Sequence, residues 1–213
     1  MLRKDILTTG NFYHVFNRGV NKGDIFFSEK DYKRFIITAI HYKNFIHKFT
    51  ASGVSDPVSE KLRKMEKPKI EIFSCCLMPN HFHFLVKQLE DDGITWFMQH
   101  LINSYVHYLN IKYKRVGPLF QGRFKNVLVD SDEQLLHVSR YIHLNPLVSG
   151  LVSDLKNYLW SSYHSYIEDR EDDLSNPELI LGNFKTKRDY EKFVLDQADY
   201  AKSLENIKHH VLD

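Results

Sequence analysis

The chain has 213 residues, 43% hydrophobic and 26% charged, an ordinary globular composition that can bury a core without disulfide or metal staples. No apolar run approaches the ~18–20 residues that span a bilayer, and Met1–Gly10 does not read as a secretion signal. Membrane and secreted readings are set aside, and a cytoplasmic location is expected.

A net charge of +2 is too small to mark a nucleic-acid binder, but its distribution is uneven. Lys61–Lys69 holds five basic residues against Glu66 alone, and Lys112–Lys125 holds five with no acid. The stretch from Glu168 to Glu178 is acidic. Either basic run can equally be solvated surface.

Taken in order, Phe12–Arg18 alternates apolar and polar residues and predicts a strand, closed by Gly19 and the turn residues Asn21-Lys22-Gly23. Ser28–Lys48 opens on a cap residue and repeats Tyr32, Phe35, Ile36, Ala39 and Ile40 at helical spacing. Thr50–Pro68 reads as a loop insertion. Ile70–Met78 is a strongly apolar strand, joined through Pro79-Asn80 to a second strand, His81–Gln88, as a hairpin. Cys75 and Cys76 should point to opposite faces of the first of these and be small buried residues, not a disulfide.

Ile94–Lys114 has one apolar stripe and predicts a helix that Gly117-Pro118 ends. Phe124–Asp130 is a short strand. Ser131 with Gln134 fits a capping box for a helix expected to run to Leu144 and to be stopped by Pro146. The order strand–helix–strand–strand–helix–strand–helix predicts an α+β fold. It is the ferredoxin-like split βαβ arrangement, an antiparallel sheet with helices on one face. Residues 1–150 form the expected main domain. Residues 151–213 form an extension with a loop around Trp160-Ser161-Ser162-Tyr163 and one or two helices from Lys185 onward.

Two constellations carry chemistry. In His81-Phe82-His83 the strand period of two places both imidazoles on one face and Phe82 on the other. Two adjacent imidazoles are half of a divalent-metal site, though strand-surface histidines are common. At the end of the last core helix, Tyr141 and Asn145 are four apart and share a face with His137. A hydroxyl beside an amide there presents a nucleophile and a ligand together; a packed tyrosine and an Asn cap before Pro146 is the plainer reading. Tyr105 and Tyr108 lack an amide four residues on.

Leu77-Met78-Pro79-Asn80-His81-Phe82-His83-Phe84-Leu85-Val86 resembles the HUH motif of the single-tyrosine transposases of insertion sequences, most nearly the REP-associated tyrosine transposases. Further matches follow the family's order: Phe16-Asn17-Arg18-Gly19, Gly117 to Lys125, Tyr141 to Pro146, and Trp160 to Tyr163. The resemblance covers about residues 10–165. It implies that His81 and His83 ligate Mg²⁺ or Mn²⁺, with Asn145 supplying a third, amide ligand. It implies that Tyr141 attacks a DNA phosphodiester, leaving a 5′-phosphotyrosine and a free 3′-hydroxyl. Arg18 and Arg123 would lie near the DNA backbone, and the substrate would be single-stranded DNA carrying a hairpin, such as REP-like repeats. Relatives act as dimers or monomers, so both states stay open.

The chemistry is coherent. A tyrosine hydroxyl ionises near pH ~10 and needs help to become a nucleophile. A divalent ion on two imidazoles and an amide has open positions with which to polarise a phosphate. Two histidines suit Mn²⁺ better than Mg²⁺. Covalent capture conserves the phosphodiester bond energy, consistent with a chain that has no P-loop motif. Lys112, Lys114, Arg115, Arg123 and Lys125, interleaved with Tyr113 and Phe120, suit a phosphate-tracking groove for single strands. The competing readings are a non-catalytic or domesticated hairpin-binding protein of the same fold, a two-histidine RNA phosphoesterase and a zinc hydrolase. The last two lack a second H-x-H motif and a further ligand at recognisable spacing.

Overall fold

A computed structural model describes residues 6–44, 49 and 67–198. The expected 50–68 insertion falls almost wholly outside these residues, as does most of Lys61–Lys69. Four strands, β1 (Phe12–Arg18), β2 (Ile70–Met78), β3 (His81–Gln88) and β4 (Lys125–Val129), form one sheet in the order β2-β3-β1-β4. Every neighbouring pair is antiparallel. Helices α1 (Glu29–Asn44) and α2 (Gly93–Tyr113) make the two crossovers, and β3 lies between the strands that α1 connects. This is the expected split βαβ sheet.

The helices do not share one face. Phe35 and Ala39 of α1, with Phe97, Leu101 and Tyr105 of α2, pack on Tyr13, Val15, Phe82, Phe84 and Val86. Helix α3 (Asp132–Val148) lies on the opposite face, where Leu135, Ile142 and Leu147 pack with Phe73, Cys76, Met78 and Leu85. The expectation of a one-sided sheet is corrected. The cause is visible in β2, buried along nearly its whole length, because a strand apolar on both faces needs cover on both. A β-bulge between Ile72 and Ser74 shifts its parity, so that Ile70, Ile72, Cys75 and Leu77 join the first core. Cys75 and Cys76 are indeed buried, free and divided between the two cores.

Helix α3 starts at the expected Ser131 cap, but the capping box is not closed, because the return bond reaches Asp130, one residue before the cap. Ser131 Oγ accepts from the Gln134 amide at 3.2 Å, while Gln134 Oε1 accepts from the Asp130 amide at 3.2 Å. Its end is corrected: Pro146 sits inside the helix, which continues to Val148. A proline in the last turn forfeits one backbone bond, and the Pro146 carbonyl still accepts from the Leu151 amide at 3.0 Å.

The extension completes the second core. Helices α4 (Tyr163–Ile167), α5 (Glu178–Leu181) and α6 (Lys187–Leu195) bury Tyr163, Tyr166, Tyr190 and Val194 against α3 and the sheet. Helix α6 is the one expected after Lys185; the two shorter ones were not anticipated. The Trp160–Ser162 segment lies along the outer edge of β2: the Leu77 amide donates to the Trp160 carbonyl and the Ser162 amide to the Cys75 carbonyl. The edge strand is thereby covered. Among the described residues, no helix is long and apolar enough to cross a membrane.

Candidate active site

On the α3 side of the sheet, alternate residues of three strands form a small lattice. β1 contributes His14, Phe16 and Arg18, and β3 contributes His81 and His83; Phe16 stands opposite His83, and Arg18 opposite His81. Lys125 of β4 pairs with Phe16 from the other side. Phe82 goes to the first core, as the strand period requires.

Helix α3 brings Tyr141 over this lattice. The tyrosine is 51% exposed, in contrast to fully buried Tyr105. Its ring lies edge-on to His83 at 5.5 Å and to His14 at 5.7 Å between centroids. Asn145 follows one turn later, its Nδ2 donating to the Tyr141 carbonyl at 2.8 Å. An open cleft of about 1080 Å³ is lined by Arg18, His81, His83, Arg123, Lys125, Tyr141 and Asn145 together with Phe16 and His137. Seven of the ten site residues expected from sequence therefore meet at one cleft. Lys112, Lys114 and Arg115 are outside its lining, at the end of α2 and just beyond. Lys112 is 2.6 Å from Asp31 Oδ1, a buried carboxylate that also accepts from Tyr108 and Tyr113. Its charge is thus committed within the protein.

Both strand histidines are held through the same ring nitrogen. His81 Nδ1 is 2.6 Å from Asn80 Oδ1, and His83 Nδ1 is 2.8 Å from His14 Nε2. His83 is buried, and its Nε2 has no hydrogen-bond partner. Burial pushes the His83 pKa well below the usual histidine range, and pushes that of His14 down to about 4. Burial thus favours the neutral form of both rings. An imidazole nitrogen that carries no proton and has no hydrogen-bond partner is what a metal ion requires of a ligand, and His83 lines the cleft. Among the described residues no three His, Cys, Asp or Glu side chains form a metal-holding group. A site here would be completed by other oxygens, and the Asn145 amide is one that lines the cleft.

His14 was missed by sequence reading, although the signal was present. In Phe12–Arg18 it alternates with Tyr13 and Val15, on the same strand face as Phe16 and Arg18. Only the pairing of β1 with β3 puts that face beside the histidine pair.

The spread-out motifs also meet here. The Gly19 amide donates to the Asn80 carbonyl at 2.9 Å, the Gln121 amide to the Arg18 carbonyl at 2.9 Å, and Asn17 Nδ2 to the Gly122 carbonyl at 3.1 Å. Arg18 and Arg123 are set at the cleft by these bonds. A Cβ on Gly19 would lie 2.0 Å from the Gly23 carbonyl oxygen, so that close approach needs glycine.

This sheet and its helices share the fold of a solved tyrosine transposase. A solved structure described as "Structure of the REP associates tyrosine transposase bound to a REP hairpin" matches with a TM-score of 0.57 at 14% identity, covering 83% of this chain and 94% of that one. The family model described as "Transposase IS200 like" matches residues 29–145, more than half of the chain, and the chain belongs to that family. A Haemophilus influenzae protein that bears the name REP-associated tyrosine transposase is 28% identical over 125 residues, 52% of this chain and 70% of that protein.

Proposed function

We propose that this transposase cleaves and rejoins single-stranded DNA beside a hairpin, using Tyr141 as the nucleophile. The observation that carries the reading is the exposed Tyr141 ring standing over His83 in a cleft rimmed by Arg18, Arg123 and Lys125. The Tyr141 oxygen would attack phosphorus; its bond to phosphorus forms as the bond to the 3′ oxygen breaks. The phosphate stays on the 5′ side as a phosphotyrosine, and the proton lost by the phenol is balanced by the one gained at the departing 3′-hydroxyl. Attack by a 3′-hydroxyl on the phosphotyrosine rejoins the strand without ATP.

His81, His83 and Asn145 would hold Mg²⁺ or Mn²⁺, and the unpartnered His83 Nε2 fits that role. Such an ion would supply positive charge to a phosphate bound in the cleft. Arg18, Arg123 and Lys125 would bind the backbone, while Phe16, half-buried in the cleft, offers an aromatic edge to an unpaired base. The hairpin named in the structural relative is the substrate form we adopt. Incubation with a hairpin oligonucleotide bearing a single-stranded flank and Mn²⁺ should give an SDS-resistant protein–DNA adduct. If no adduct forms on any hairpin that the protein binds, a purely DNA-binding role replaces this one.

A further inference from the structure

We infer that His14 is a positioning residue that fixes His83 in the form able to take a metal ion, the inference resting on the metal-dependent reading above. An imidazole ligates through a nitrogen that carries no proton, so His83 must keep its single proton on the other one. His14 Nε2 lies 2.8 Å from His83 Nδ1, and His83 Nε2 is buried with no hydrogen-bond partner.

Two tautomer arrangements satisfy that contact. If His14 donated, the His83 proton would sit on Nε2, a buried donor with nothing to receive it. If His14 accepts, His83 Nδ1–H is satisfied and Nε2 presents a lone pair. The second arrangement leaves no buried donor stranded. His14 is therefore the acceptor, with its own proton on Nδ1.

Asn80 does the same for the other member of the pair. Its Oδ1, 2.6 Å from His81 Nδ1, can only accept, while its Nδ2 donates to the Lys22 carbonyl at 2.9 Å. Both Nε2 atoms of the pair are then the unprotonated ones, and each ring's orientation is held from behind. The two devices come from different places: one from the hairpin turn, one from the neighbouring strand. His14 stands opposite Leu85 and reaches diagonally to His83, so the contact depends on the β1–β3 register.

The test is Mn²⁺ titration of the full chain without DNA, by calorimetry, together with ring-nitrogen NMR of the ion-free protein. His14→Leu keeps the bulk and removes the acceptor; His14→Gln restores an acceptor oxygen. We expect His14→Leu to weaken Mn²⁺ binding about 10–100-fold. His14→Gln should stay close to the unsubstituted protein, whose His83 should carry its proton on Nδ1. Unchanged Mn²⁺ affinity in His14→Leu overturns the inference, as does a His83 proton on Nε2. A Gln variant as weak as Leu does the same. If His14→Leu does not fold, the tautomer in the unsubstituted protein decides alone. His83→Ala separates the two levels: undiminished Mn²⁺ affinity there removes the metal reading itself, whereas loss there without loss in His14→Leu removes only the role of His14.

Discussion

Tyr141 is distinguished from the other tyrosines by its surroundings rather than by its chemistry. Tyr105 is fully buried with its hydroxyl donating to the Ile25 carbonyl at 2.7 Å, and burial pushes its ionisation far out of reach. Tyr141 stands half in solvent over the histidine lattice. Tyr141→Phe should therefore abolish the covalent adduct while leaving hairpin affinity and melting temperature nearly unchanged, since the ring is kept and only the oxygen is lost. An adduct that persists in this variant, mapped by peptide sequencing, would move the nucleophile elsewhere. At the proposed metal ligands, His83→Ala should remove Mn²⁺-dependent cleavage.

One scale up, helix α3 carries Tyr141, the proposed nucleophile, and what holds that helix is a buried polar network. His143 pairs through Nδ1 with the Tyr190 hydroxyl at 2.7 Å and through Nε2 with Ser162 at 2.8 Å. Tyr190 also meets Ser139 at 2.6 Å, and Ser139 meets Ser74 of β2 at 3.1 Å. The C-terminal extension, helix α3 and the sheet are thus joined by buried side-chain hydrogen bonds. Tyr190→Phe leaves His143 and Ser139 short of a partner and should cost about 1–3 kcal/mol of stability, read by urea unfolding. A cost near zero would show that the network is incidental. The network also predicts an acid response. Burial lowers the His143 pKa to about 3, whereas in the unfolded chain it returns to ~6.5. Between those values the unfolded state binds the extra proton, so this contribution is complete above pH ~6.5 and is lost as pH falls toward 3. Urea midpoints measured from pH 7 down to 4 should fall, and His143→Gln should fall less steeply.

For the whole molecule, function depends on where the charge lies rather than on how much there is. A net +2 is spread over a chain whose cleft gathers Arg18, Arg123 and Lys125, while Lys112 is neutralised by Asp31. Binding of a hairpin with a single-stranded flank should weaken with salt. Each of Arg18→Ala, Arg123→Ala and Lys125→Ala should flatten the slope of log affinity against log salt by about 0.7, the release expected for one phosphate of a single strand. Lys112→Ala should leave that slope unchanged and instead destabilise the fold by exposing the loss of a partner for buried Asp31. Gel-shift titrations at several salt concentrations decide between these outcomes. The same titrations should show a fully paired duplex of equal sequence binding more weakly than the hairpin, because the described residues around the cleft offer no paired recognition helices for a major groove.

Period and punctuation sufficed for much of this protein. Alternation in β1 and β3, the Ser131–Gln134 cap, and the turns at Gly19 and Pro79-Asn80 are local facts, and they set the element order and hence the split βαβ sheet. The His81–His83 face and the i,i+4 relation of Tyr141 to Asn145 follow from the same geometry. Three features could not be read that way, because each depends on a partner distant in the chain. The second face is covered by α3, with residues 155–198 completing that core, and nothing in the spacing of β2 said what would cover it. Helix α3 passes Pro146 because tertiary packing of Leu147 outweighs a local stop signal. His14 and Lys112 exchanged importance for the same reason. A histidine that looked like strand filler lies 2.8 Å from His83 across a register that no single strand encodes, and a lysine that looked like a phosphate contact is held by an aspartate 81 residues away. Sequence determined which groups were available; long-range pairing decided which of them face the cleft.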